Sequence, residues 1–175
     1  MADKNFKEML ADISTFVFDV DGVFTNNQVL LMPDGQAVRS INTRDGYAVQ
    51  LAVKEGFRIC VLSGGDGYGM SKRFERLGVK DVFMDVPEKL LVLQKYMEDH
   101  SLQREEVMYM GDDIPDLKVM QLAGVATCPK DAAPEIRAIS HHVSPFNGGM
   151  GCARDVLEQV MKVQGKWMSN GAFSW

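Results

Sequence analysis

A doubly wound, Rossmann-like parallel α/β fold is what the sequence predicts, and three observations predict it. Five short apolar runs, T-F-V-F-D-V, R-I-C-V-L-S, D-V-F-M, V-M-Y-M-G and G-V-A-T-C, each precede a longer amphipathic stretch. That alternation belongs to a parallel sheet wrapped by helices. Glycines at 56, 78 and 124 stand where helix-like segments end. The chain of 175 residues, 46% hydrophobic, suffices for one substantial core but not for two.

Taken in order, the first run is a buried strand that ends at Asp19. Between it and the first core helix, Q-V-L-L-M-P-D-G-Q-A-V-R-S-I-N reads as a β-hairpin over about 27–42, turning at Pro33-Asp34-Gly35. Helices are expected over 45–54, 69–77, 87–100, 114–122, 132–139 and 151–163. The spacing leaves no room for a cap domain, so whatever covers the site is small or comes from another subunit. One domain over 1–164 and a tail over 165–175 complete the organisation.

Composition narrows the partners. A net charge of −5, with 24 acidic against 19 basic residues, leaves no basic face for nucleic acid. No apolar run approaches the ~20 residues of a membrane span, and the charged start lacks a signal core; a cytoplasmic location is expected. Cys60, Cys128 and Cys152 are scattered and odd in number, which fits reduced packing thiols.

The chemistry sits where the strands end, beside the crevice in which such sheets bind ligands. Asp19 and Asp21 follow the first strand, Ser63-Gly64-Gly65 the second, Lys89 comes shortly after the third, and G-D-D-I-P-D, 111–116, follows the fourth. Carboxylates brought that close raise one another's pKa unless a cation neutralises them, and oxygen-only ligation points to Mg2+. These parts support phosphoryl transfer through an aspartyl phosphate. Asp21, two residues beyond the nucleophile, acts as general acid and then base. Ser63 and the Gly64 N–H bind phosphate oxygens, Lys89 offsets the negative charge of the transition state, and Asp112 completes the metal shell with Asp113 and Asp116 orienting it. Taken singly, each motif has a plainer reading: Asp112 and Asp113 as helix caps, Lys89 as a surface lysine, Ser63-Gly64-Gly65 as a turn.

Together, D-V-D-G-V at 19–23, L-S-G at 62–64, Lys89 and G-D-D-x-x-D at 111–116 resemble the four motifs of the haloacid dehalogenase superfamily of phosphohydrolases. The resemblance covers about residues 14–160. It implies that Asp19 is the nucleophile and that Asp19, the Asp21 backbone carbonyl and Asp112 are the magnesium ligands. The hairpin, N-T-R-D-G at 42–46 and G-G-x-G-x-x-R-D at 148–155 further resemble the capless, tetrameric branch that dephosphorylates 3-deoxy-D-manno-octulosonate 8-phosphate (KDO 8-phosphate) for lipopolysaccharide biosynthesis. That resemblance implies a homotetramer built through the hairpins, with Asn42, Arg44, Asp45 and Arg73 near the substrate. It also implies that the late glycine-rich segment reaches toward a neighbour's pocket. Gly65, followed by D-G-Y-G-M, and Met150 stand where relatives often carry charged residues. A phosphatase of a nine-carbon sugar acid (KDN 9-phosphate or N-acetylneuraminate 9-phosphate) is the alternative substrate reading. A phospho-accepting receiver would place its acceptor after a middle strand, whereas here the strongest pair follows the first. An oligomeric scaffold would not need an intact acid set, and a mutase would need a cap to retain its intermediate.

Overall fold

In the computed structural model, which describes residues 5–65 and 67–174, the elements in chain order begin with a single helical turn, α1 (Phe6–Met9), and the strand β1 (Thr15–Phe18). The hairpin β2 (Leu30–Leu31) and β3 (Ala37–Val38) leads into α2 (Thr43–Lys54). Then β4 (Arg58–Leu62), α3 (Tyr68–Arg76), β5 (Asp81–Phe83), α4 (Lys89–Asp99) and β6 (Val107–Met110) alternate. After β6 come α5 (Leu117–Leu122), β7 (Val125–Cys128), α6 (Pro134–Ile139), β8 (His142–Val143) and α7 (Cys152–Val163).

Six strands form one sheet in the order β5-β4-β1-β6-β7-β8, and every pairing is parallel. The chain runs outward from β1 through β4 to β5, then returns to lay β6 against the other side of β1. The order therefore reverses between β1 and β6, and the carboxyl ends of those two strands frame the crevice.

Side chains of β1 alternate across the sheet as strand geometry requires. Phe16 and Phe18 enter the core shared with α2, α3 and α7, whereas Val17 enters the core shared with α4, α5 and α6. All four residues of β1 are buried, as are those of β6 and β7. A strand covered on both faces reads as a continuous apolar run. The chain beyond β1 is then polar because it leaves the sandwich for the crevice.

The expected elements differ from the observed ones chiefly at their ends. The helix expected over 114–122 opens with a 3-10 turn at Ile114–Asp116 before α5, with Pro115 in the first turn, where a missing N–H costs no bond. The hairpin is shorter than its 15-residue stretch, with two residues on each strand and Gly35 in the left-handed region at φ +87. α1 and β8 had no counterpart in the sequence reading. The first is a single turn closed by a reciprocal Asn5–Glu8 cap, and the second is a half-buried, two-residue edge strand without an apolar run.

The tail turns back onto its own chain. Tyr47 donates from its hydroxyl to the Ala172 carbonyl, and Lys54 Nζ donates to the Ser174 carbonyl at 2.8 Å. Arg154 lies over the rings of both Tyr47 and Trp167. Among the described residues, no helix is long and apolar enough to cross a membrane.

Candidate active site

The ladder between β1 and β6 continues one residue past β1: the Asp19 N–H donates to the Met110 carbonyl, at the end of β6, at 3.0 Å. That bond fixes Asp19 at the crevice floor, where it is 8% exposed. Its Oδ1 accepts from the Val20 N–H at 2.7 Å, and its Oδ2 lies 2.9 Å from Lys89 Nζ. Lys89, at the first position of α4, is itself buried and bonds Asp116 Oδ1 at 2.7 Å. Asp116 also accepts from the Tyr109 hydroxyl at 2.7 Å and from the Asp112 N–H at 3.1 Å. One lysine thus ties the end of β1 to the turn after β6.

Asp19, Asp112 and Asp116 each offer a carboxylate oxygen within 4.8 Å of the others. All three are buried, and Lys89 supplies one positive charge against their three negative ones. Burial pushes the Asp19 carboxyl well up, with Asp116 adding to the rise and Lys89 opposing it. Burial likewise raises Asp112 to about 6 against a hydrogen bond from Asn27. A buried, oxygen-only cluster with excess negative charge fits a hard divalent cation, whose charge would oppose both shifts.

Asp21 stands apart from this trio. Its Oδ1 accepts from Arg39 Nε at 2.7 Å and from the Thr25 hydroxyl at 3.2 Å, and its Oδ2 accepts from Arg39 Nη2 at 3.0 Å. The pair is a two-point fork of the sort that arginine makes with a carboxylate. Ser63 is buried behind β4, its Oγ accepting from the Gly65 N–H at 3.2 Å, with Gly64 beside it. A Cβ added at Gly65 would stand 3.2 Å from both Arg39 Nη2 and Asp21 Oδ2. Position 65 therefore faces the acid directly, while Asp66, in the stretch expected to open α3 flexibly, lies outside the described residues.

The remaining residues named from the sequence fall elsewhere. Asp113 is exposed and caps the turn at 114–116 through the Ile114 N–H. Asn42 caps α2, accepting from the Arg44 N–H at 2.8 Å. Arg44 lines a groove of about 410 Å³ with Met150, Arg154 and Glu158, and none of the crevice acids lines it. Asp45 is fully buried and accepts from the Arg154 N–H at 2.7 Å, so it binds α2 to the start of α7. Arg73 lines a larger cavity of about 880 Å³ between the hairpin and α3, together with Arg39, Ile41, Tyr68 and Met70. The late glycine-rich segment packs on the loop of its own chain that carries Asp21. The Gly149 N–H donates to the Val23 carbonyl at 2.9 Å, and any Cβ at Gly148 would overlap the Gly22 carbonyl.

Sequence reasoning missed Arg39, Asn27 and Tyr109, and it placed Asp116 behind the metal ligands rather than among the three carboxylates. Arg39 did leave a trace as a charged residue within the hairpin. Asn27 left none, since its partner lies 85 residues away, and Tyr109 left none because it reads as one more residue of a buried strand.

The buried acids set the pH response of the metal-free protein. Asp45 is raised to about 6 by burial, which outweighs the backbone N–H groups of Arg154 and Gly151, and its Oδ2 has no hydrogen-bond partner among the described residues. A carboxyl whose folded pKa lies above its unfolded value contributes stability that is fully present below about 4 and is lost as pH rises through about 6. For Asp45 the loss is on the order of 3 kcal/mol. Melting temperature without metal should therefore fall between pH 4 and pH 7, and Asp45→Asn should flatten that slope, read by calorimetric scans across the range.

Comparison with known proteins agrees with this geometry. Residues 81–154 match the haloacid dehalogenase-like hydrolase family. A crystal structure of a probable YrbI family phosphatase from Pseudomonas syringae is 32% identical, covers 91% of each chain and superposes with a TM-score of 0.89. The chain belongs to the haloacid dehalogenase-like hydrolase family. It is a phosphoric monoester hydrolase of that family's capless form, in which the hairpin takes the place of a cap. The 3-deoxy-D-manno-octulosonate 8-phosphate phosphatase KdsC of Haemophilus influenzae is 29% identical over 160 residues, 91% of this chain and 89% of that one. The Moraxella catarrhalis phosphatase of the same name, solved with a magnesium ion, a phosphate ion and KDO, is 25% identical over 91% of each chain, with a TM-score of 0.88.

Proposed function

We propose that the protein is a magnesium-dependent phosphatase of KDO 8-phosphate, acting through an aspartyl phosphate on Asp19 and serving the supply of lipopolysaccharide sugar in the cytoplasm. The observation that carries the reading is the buried Asp19 carboxylate, set at the switch point of the sheet and facing Lys89 and Asp112 across the crevice. Asp19 and Asp112, with the Asp21 backbone carbonyl, would hold Mg2+, and Asp116 stands within the same cluster. When bound, the ion supplies charge neutralisation that lets an anionic carboxylate approach an anionic phosphate.

The chain's own groups divide the rest of the work. Asp19 Oδ attacks phosphorus, and Lys89 both aims that carboxylate and offsets charge on the transferring group. Asp21 delivers a proton to the leaving sugar oxygen and later takes one from the attacking water. Ser63 and the Gly64 N–H bind phosphate oxygens. Burial of Asp19 excludes competing water from the nucleophile.

Substrate choice follows from the cavity beside Asp21. Arg73 lines it, and a second anion on the substrate, the carboxylate of a sugar acid, suits its guanidinium. The relatives named for KDO 8-phosphate support the eight-carbon acid. Glycine at 65 brings no charged side chain to the space before Arg39, which favours the eight-carbon acid; a nine-carbon acid is the second reading. Phosphate release with Mg2+ from KDO 8-phosphate, KDN 9-phosphate, N-acetylneuraminate 9-phosphate and hexose phosphates, ranked by kcat/KM, tests the proposal. Preference for KDO 8-phosphate is expected. Preference for a nine-carbon acid would overturn the substrate but keep the chemistry, and release from none would overturn both.

The hairpin supports a homotetramer. Leu30 and Leu31 are 64% and 75% exposed on its strands, beside Val29, Met32 and Val38. An apolar patch of that kind marks a protein contact, and further copies of this chain are its proposed occupants. Sedimentation should give a mass of four subunits, and Leu31→Asp should reduce it; a monomeric wild type would contradict the assembly.

A further inference from the structure

Each foot of the hairpin grips one acid of the site. At its entry, Asn27 takes the left-handed conformation at φ +61, which asparagine tolerates better than other residues with a Cβ. That turn aims its side chain across the crevice, where Nδ2 donates to Asp112 Oδ2 at 2.7 Å, over 85 residues of chain. An ionised carboxylate can only accept, so the amide nitrogen is the atom that must face it. At its exit, Arg39 holds Asp21 by the two-point fork, its head group mostly buried.

A second feature shows that the Asn27 contact is built in. Gly22, at φ +77, lies where its own Cβ would overlap the Asp112 carboxylate and stand 2.6 Å from Asn27 Nδ2. Any other residue at 22 would occupy the space in which the amide and the carboxylate meet. Asn27 is also neutral, so it orients Asp112 without spending the negative charge that a cation requires. A lysine at the same place would do the opposite.

The geometry points to Asn27 and Arg39 as positioning residues through which the hairpin sets the two acids it does not itself carry: Asn27 orients Asp112 toward the metal, and Arg39 holds Asp21 in place for proton transfer. This rests on the reading of Asp112 as a metal ligand and Asp21 as the proton-transfer group. The two feet then have separable effects. Loss of the Asn27 amide frees one oxygen of a metal ligand, and loss of such a supporting bond costs roughly 10–100-fold in metal affinity. Loss of Arg39 frees Asp21, whose side chain lies outside the carboxylate trio, so metal affinity is retained and the chemical step slows.

Asn27→Gly is the informative variant, because glycine takes a positive φ without strain and only the amide is lost. Titration calorimetry of the metal-free protein with Mg2+ should show binding weakened about tenfold or more, with a cooperative melt showing that the variant is folded. Arg39→Met should bind Mg2+ as the wild type does, while kcat on glycerol 2-phosphate, whose alkoxide leaving group needs a proton, falls about tenfold or more at saturating Mg2+, a part of the roughly 10²–10⁴-fold that general acid–base groups contribute. Arg39→Lys should recover part of that loss. Wild-type Mg2+ affinity in Asn27→Gly would overturn the role of the entry foot, and wild-type kcat in Arg39→Met that of the exit foot. The simple phosphomonoester makes the test independent of which sugar acid the enzyme uses. Absence of Mg2+ binding by the wild type would instead defeat the metal reading on which the inference stands.

Discussion

Asp19→Asn should abolish turnover and at the same time stabilise the metal-free protein. Asparagine keeps the shape and the acceptor for the Val20 N–H but cannot form the acyl phosphate, so kcat should fall by at least about 10⁴-fold, the scale on which loss of an essential nucleophile acts. The stability effect has the opposite sign. Burial holds the Asp19 carboxyl above its ordinary range, with Asp116 adding to it, so keeping it ionised at neutral pH disfavours the fold. Removing that charge leaves Lys89 paired with Asp116. Melting temperature without metal should rise by a few degrees, each 1 kcal/mol being worth about 2–4 °C in a chain of this size. An inactive variant that melted lower would contradict the electrostatic account of the buried Asp19 carboxylate, and an active variant would end its assignment as nucleophile.

Lys89→Met should lose both activity and stability, for one electrostatic reason. Lys89 is the single cation touching Asp19 and Asp116 among the described residues, and all three are buried. Methionine fills the same volume but leaves three buried carboxylates facing one another. Breaking a buried ion pair from one side costs about 3–5 kcal/mol, and removing one preorganised charge from a transition state costs roughly 10²–10³-fold in kcat. Mg2+ should restore part of the stability, because it supplies charge to the same cluster, while kcat stays low. Thermal scans with and without Mg2+ separate the two effects. Equal destabilisation in both conditions would show that Lys89 acts by packing alone.

The two variants also show why parts of this site were legible from sequence and others were not. Asp19, Lys89 and Asp112 sit at the first polar positions after apolar runs or at the first turn of a helix, and the topology of a parallel sheet brings such positions together. The alternation that revealed the strands therefore also revealed the acids. Asp116 was visible as a carboxylate but not as a member of the trio, since its place depends on Tyr109 and the Asp112 N–H. Asn27 was invisible because its partner lies across the sheet's switch point and its backbone conformation is a tertiary outcome. Asp45 belongs to a motif, yet its carboxylate turns inward to the start of α7, a direction that helix periodicity cannot give. The helices were read well in their middles and less well at their ends, where the caps at Asn42 and Asp113 decide the boundary.

The most direct test of the central claim is to trap the phosphorylated enzyme. Wild-type protein mixed with KDO 8-phosphate and Mg2+, quenched in acid within one turnover and mapped by peptide mass, should carry one phosphoryl group on the peptide containing Asp19, and none should appear in Asp19→Asn. Turnover without any trapped phosphoryl group, or a group on another residue, would contradict the account.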